Sequence, residues 1–79
     1  MDAAPKIDII LATLNSADVG SLESIAAKMR DVELELRAIG QVELADRAND
    51  AERALMRGDV AEFRRLRAFL QSKVGHLRP

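Results

Sequence analysis

The fold class of this 79-residue chain follows from one stretch, SLESIAAKMRDVELELRAIG, at residues 21–40. Ser21 is a residue type that caps the first turn of a helix, and Gly40 is one that closes the last turn. Between them, large apolar side chains recur every three or four residues, which places them along one helix face: Leu22, Ile25, Met29, Val32, Leu36 and Ile39. The stretch therefore predicts a long helix over about residues 21–39.

Helical spacing continues on both sides of this stretch. It predicts three further helices at about residues 4–14, 42–57 and 60–74. Gly58 ends the third helix, and Asp59, with Glu62 three residues later, begins the fourth with the pattern of a capping box. The four helices are thus separated by short, well-marked turns.

The architecture follows from those turns. Connections of two to six residues leave consecutive helices antiparallel, and no segment alternates β-branched or aromatic residues as a strand does. We predict a single-domain, all-α fold, a small antiparallel helical bundle with a short N-terminal helix and three longer helices. The three longer helices are expected to form a three-helix core, with the first helix packed across it.

Composition limits both the core and the cellular setting. Apolar residues make up 48% of the chain, but 13 of them are alanine, and no cysteine is present. A core this small usually needs a disulfide, a metal, close helix packing or another chain to stabilise it, and in a chain without cysteine the last two are the main alternatives. The net charge of −1 argues against general binding to nucleic acid or anionic membranes. No apolar run spans a bilayer and no secretory signal is recognisable, so we expect a cytoplasmic protein.

The sequence offers no catalytic or metal-binding pattern. The single histidine, His76, lies four residues from the C-terminus, where a general base is poorly positioned. The acidic pairs Asp31 with Glu35 and Asp46 with Asp50 lack the Glu-x-x-His spacing of metal-binding bundles. We therefore predict neither an enzyme nor a protein with a cofactor or a metal ion.

Charge is unevenly distributed along the chain. Residues 59–79 carry five basic and two acidic side chains, whereas each earlier segment is acidic. Three interpretations remain open for Arg64, Arg65 and Arg67: they pair within the bundle or face solvent, they bind an acidic protein partner, or they bind nucleic acid.

Several large apolar residues lie off the predicted buried stripes. Leu34 is directly opposite the core face of its helix, Val42 and Met56 share an outer position on the third helix, and Ile9 and Phe69 flank their stripes. Such side chains on so small a chain favour association with a partner over the alternative of a monomer whose first helix covers them. We predict a non-enzymatic protein–protein interaction module, either a homo-oligomer or the binder of a helical partner, and the alternative is a nucleic-acid-associated protein. The predicted partner-binding residues are Leu34, Met56 and Phe69, with Arg64, Arg65 and Arg67 as a charged rim.

Overall fold

A computed structural model describes residues 4–78 and shows four α-helices. They are α1 (Ala4–Asn15), α2 (Leu22–Ala38), α3 (Val42–Met56) and α4 (Val60–Gly75). No β-strand occurs within the described range. The prediction of an all-α fold with one short and three longer helices is confirmed, and every observed boundary lies within one residue of its predicted position.

Two glycines set the turns that follow α2 and α3. Gly40 and Gly58 have φ angles of 82° and 81°, in the left-handed region that glycine enters without steric cost. After α2, the Gln41 N–H donates to the carbonyl of Leu36 at 2.8 Å, and after α3 the Asp59 N–H donates to the carbonyl of Ala54 at the same distance. These are the hydrogen bonds of a Schellman motif. These hydrogen bonds end α2 and α3 and reverse the chain after each of them, as the sequence predicted.

The start of α4 differs in one detail from the predicted capping box. The Asp59 carboxylate accepts a hydrogen bond from the Glu62 N–H at 3.1 Å, as a capping residue should. The Glu62 side chain, however, binds Arg65. The Asp59 N–H does not need the Glu62 side chain as an acceptor, because it already donates to the Ala54 carbonyl. Only half of the capping box is formed.

The four helices form a closed ring. α1 packs against α2 and α4, and α3 packs against the same two helices, while no described Cα atoms of α2 and α4, or of α1 and α3, lie within 8 Å of each other. The expected three-helix core is therefore wrong. The physical reason is that α1 separates α2 from α4, with Ile10 and Leu14 only 1% and 0% exposed.

The core is apolar throughout the described part of the chain. No polar or charged residue is buried there, and no buried side-chain nitrogen or oxygen lacks a hydrogen bond. α3 contributes mainly small residues, and the contact distance between packed helices depends on the side chains at the contact. Four fully buried alanines of α3 therefore allow α2 and α4 to approach its backbone closely: Ala45, Ala48, Ala51 and Ala54.

Leu22, predicted on the apolar face of its helix, is instead exposed. Leu22 and Val60 are 49% and 45% exposed because they are the first residues of α2 and α4, where the neighbouring helices cover them least. Phe69, at 38%, lies at the edge of the buried face of α4, beside α3, in keeping with its predicted flanking position. The other large apolar residues of α4 are buried: Phe63, Leu66, Leu70 and Val74.

Candidate interaction surfaces

The first candidate surface is a groove between α1 and α2, here called the apolar groove. It has a volume of about 240 Å³ and is lined by seven residues, namely Ile9, Ile10, Thr13, Asp31, Val32, Leu34 and Glu35. Ile10 and Val32 belong to the core, whereas Ile9 and Leu34 are 61% and 58% exposed. Two large aliphatic side chains from different helices thus border one concave apolar surface.

The polar groups of the apolar groove are close to electrically balanced. Lys6 on α1 lies 3.3 Å from the Glu35 carboxylate on α2. The Thr13 hydroxyl donates to the Ile9 carbonyl of its own helix at 3.0 Å. Asp31 forms no ion pair with any described residue, so it leaves a single uncompensated negative charge at the rim.

Phe69 lies at a different boundary, between α3 and α4. Its ring borders a concave surface together with Leu44 of α3 and with Gln41, the N-cap residue of α3. The Lys73 ammonium lies 5.7 Å from the ring centroid. That distance is within the range of a cation–π contact. Phe69 is therefore partly covered by its own helix and by α3.

Met56 lies at a third boundary. It is 58% exposed at the end of α3, and it borders a wide, open depression with Arg30 of α2 and the nearby Glu52 and Arg57. The structure consequently does not bring Leu34, Met56 and Phe69 together. In the ring, the α1–α2 boundary of Leu34 is on the opposite side from the α3–α4 boundary of Phe69.

Arg67 binds other groups of the same chain. Its side chain is only 18% exposed, its Nε donates to the Leu14 carbonyl at 3.1 Å, and its guanidinium lies 3.8 Å from Asp18. The carbonyl of Leu14 is one of the last in α1, where backbone acceptors have no partner within the helix. Arg67 thus ties the end of α1 to α4, as the intramolecular interpretation of the basic residues requires.

We expect Arg67→Ala to lower the free energy of unfolding by about 1–3 kcal/mol, because it removes a part-buried, charge-assisted hydrogen bond to the Leu14 carbonyl. Arg64→Ala is the matched control on the same helix. Arg64 is exposed and forms no ion pair or side-chain hydrogen bond with a described residue, so we expect a change within about 0.5 kcal/mol. Urea unfolding followed by circular dichroism measures both. Equal losses would contradict the assigned role of Arg67.

The second candidate surface is a groove between α3 and α4, here called the arginine groove. Its volume is about 250 Å³, and four of its seven lining residues are arginines. The other three lining residues are two carboxylates and one leucine. The full set is Arg47, Asp50, Arg53, Arg57, Glu62, Arg65 and Leu66.

The carboxylates of the arginine groove bind arginines of their own helices. Asp50 lies 3.2 Å from Arg47 on α3, and Glu62 binds Arg65 on α4. The hydrogen bond from Arg65 lowers the pKa of the Glu62 carboxyl, and the same contact raises the pKa of Arg65. Arg57 is 3.8 Å from Asp59 in the turn. Arg53 has no carboxylate of a described residue within ion-pair distance.

The other three helix boundaries are bridged by polar side chains. Lys6 joins α1 to α2, and Arg78, after α4, binds Asp8 of α1 at 2.7 Å. α2 and α3 are joined by Arg30 with Glu52 at 2.8 Å and by Arg37 with Asp46 at 3.4 Å. Both guanidinium groups donate hydrogen bonds to carboxylates, first of all Arg30 to Glu52 and Arg37 to Glu33, and these bonds raise the pKa of both arginines.

His76 occupies the C-cap position of α4, and its side chain is exposed. Among residues 4–78, no three His, Cys, Asp or Glu side chains are grouped as a metal site would require. Within the same residues, no helix combines the length and the apolar character needed to cross a bilayer.

No family model, no curated protein and no solved structure matches this chain.

Sequence reasoning missed two features of these surfaces. Ile9 and Leu34 were each recognised as lying off a buried stripe, but their common groove depends on how α1 packs against α2. Arg53 and Arg57 were overlooked because residues 41–58 sum to a charge of −1. The available signal was the spacing of Arg53 and Arg57, which places two like charges on one helix face.

Proposed function

We propose that this protein is a small, non-enzymatic protein–protein interaction module that self-associates through the apolar groove. The observation that carries the proposal is the juxtaposition of Ile9 and Leu34, two exposed aliphatic side chains from different helices, beside the apolar floor of Ile10 and Val32. Covering such side chains with apolar surface is favourable by about 25 cal/mol per Å². Neither side chain has a role in the core that would explain its position.

The low net charge of the apolar groove permits a second copy of the chain as its occupant. In a two-fold symmetric dimer, the same surface patch meets itself, so any net charge on the patch is repelled by its own copy. The apolar groove carries Lys6 against Glu35, with only Asp31 uncompensated. The arginine groove, with four arginines and two carboxylates, is unsuited to such self-contact.

The geometry does not favour the nucleic-acid alternative. Arg67 is directed to the end of α1 and Arg65 is bound to Glu62. Arg64 alone of the three remains without a polar partner among the described residues. α4 therefore lacks the continuous basic surface that phosphate backbones require.

Sedimentation velocity on the intact chain from about 10 μM to about 1 mM tests the proposal over a range of dissociation constants typical of weak dimers. We expect the mass to rise with concentration from 8.7 kDa towards that of a dimer. A constant monomer mass over the whole range would overturn self-association.

A further inference from the structure

The arginine groove differs from the other helix boundaries in how its charges are compensated. At the other three boundaries, basic side chains reach across to an acidic or carbonyl group of a neighbouring element. Across the α3–α4 boundary, no ion pair or side-chain hydrogen bond joins the two helices among the described residues. Instead, Arg53 of α3 and Arg57, the C-cap residue that follows α3, share a groove with Arg65 of α4.

This arrangement contributes little to the stability of the bundle. Arg53 and Arg57 are four residues apart on one helix, and a like-charge pair at that spacing is unfavourable by roughly 0.2–0.5 kcal/mol. Three ion pairs form, Arg47 with Asp50, Arg65 with Glu62 and Arg57 with Asp59. All three are local and solvent-exposed, and pairs of this kind contribute at most about 1 kcal/mol. The Arg53 guanidinium, which has no ion pair with a described residue, is therefore available to another molecule.

We infer that the arginine groove binds an acidic peptide segment, one carboxylate of which contacts Arg53 of α3, the lining arginine that has no ion pair with a described residue. Guanidinium groups bind carboxylates in a bidentate manner, with short charge-assisted hydrogen bonds. The groove lies between two helices and is lined almost entirely by charged residues, so it suits an extended, carboxylate-rich segment. No aromatic side chain lines it, which removes the stacking surface on which single-stranded nucleic acids depend.

The arginine groove and the apolar groove are on opposite sides of the ring. An acidic partner can therefore occupy the first while a second copy of the chain occupies the other. The two proposals can be tested separately, because a charge introduced at Leu34 leaves the arginine groove unaltered.

Fluorescence anisotropy with a labelled oligoglutamate peptide tests the inference on the full chain. Arg53→Gln removes a guanidinium that has no ion pair in the described structure, so the variant should fold normally, which circular dichroism checks. We expect it to weaken peptide binding by about tenfold, the effect of losing one hydrogen-bonded charge. Arg53→Lys, which keeps the charge but not the bidentate geometry, should recover only part of the affinity.

Arg64→Gln is the matched control, because it removes the same charge from an exposed position that does not line the groove. We expect less than a twofold effect from it, and unchanged peptide binding for Leu34→Glu. Equal losses in Arg53→Gln and Arg64→Gln would show attraction to overall charge and overturn the inference. Absence of peptide binding at low salt would also overturn it, as would tighter binding of a single-stranded oligonucleotide of equal charge.

Discussion

Leu34→Glu is expected to convert the self-associated protein into a monomer whose helices remain intact. Covering one leucine side chain contributes about 1.5–3 kcal/mol, and a two-fold symmetric interface contains the residue twice. The dissociation constant should therefore rise by at least about 100-fold, since each 1.4 kcal/mol is a factor of ten. The fold should not suffer, because Leu34 is 58% exposed and glutamate is a good helix former.

Val42→Glu is the matched control for this substitution. Val42 is also an exposed aliphatic residue, at 51%, but it begins α3 and does not line the apolar groove. We expect its sedimentation profile to equal that of the unaltered chain, with the helical circular dichroism of both variants unchanged. If both substitutions dissociate the protein, or neither does, the apolar groove is not the interface.

The largest expected effect on stability is that of Leu36→Ala. Leu36 is fully buried in α2, and leucine-to-alanine changes in protein cores cost about 2–5 kcal/mol. A chain of this length has a total stability of about 4–12 kcal/mol at typical values per residue. The variant should therefore lose a large part of its stability and unfold at a much lower urea concentration.

Leu34→Ala provides the comparison, with the same chemical change in the same helix two residues away. Because Leu34 is exposed, we expect its replacement to cost less than about 1 kcal/mol. Unfolding is measured at low protein concentration, where dissociation does not contribute to apparent stability. A similar loss for both variants would contradict the assignment of α2 faces to core and surface.

The helices were predictable because their signals are local. Gly40 and Gly58 adopt positive φ angles in the turns that they were expected to form, and Asp59 caps α4. The arrangement of the helices was not predictable by the same means. Whether α1 lies across three helices or between two depends on how Ile10 and Leu14 fill the space between α2 and α4.

The candidate surfaces were predictable in part. The periodicity of α2 was sufficient to place Leu34 away from the core. It was not sufficient to associate Leu34 with Ile9, because that pairing is a property of two packed helices. The role of Arg67 was equally inaccessible, since its acceptor at Leu14 is 53 residues away in the chain. The residue types show which side chains are able to bind a partner. Tertiary packing decides which of these side chains are already bound to other groups of the same chain.

The closed ring of helices has a consequence for folding kinetics. Three of its boundaries join consecutive helices, and contacts between nearby parts of a chain form rapidly, so we expect folding on a microsecond to millisecond scale. The boundary between α1 and α4 joins the two ends of the described chain and has the greatest loop-closure entropy to overcome. Arg67 with Leu14 and Arg78 with Asp8 both belong to this boundary. We expect their formation to be the step that closes the ring by joining α1 to α4.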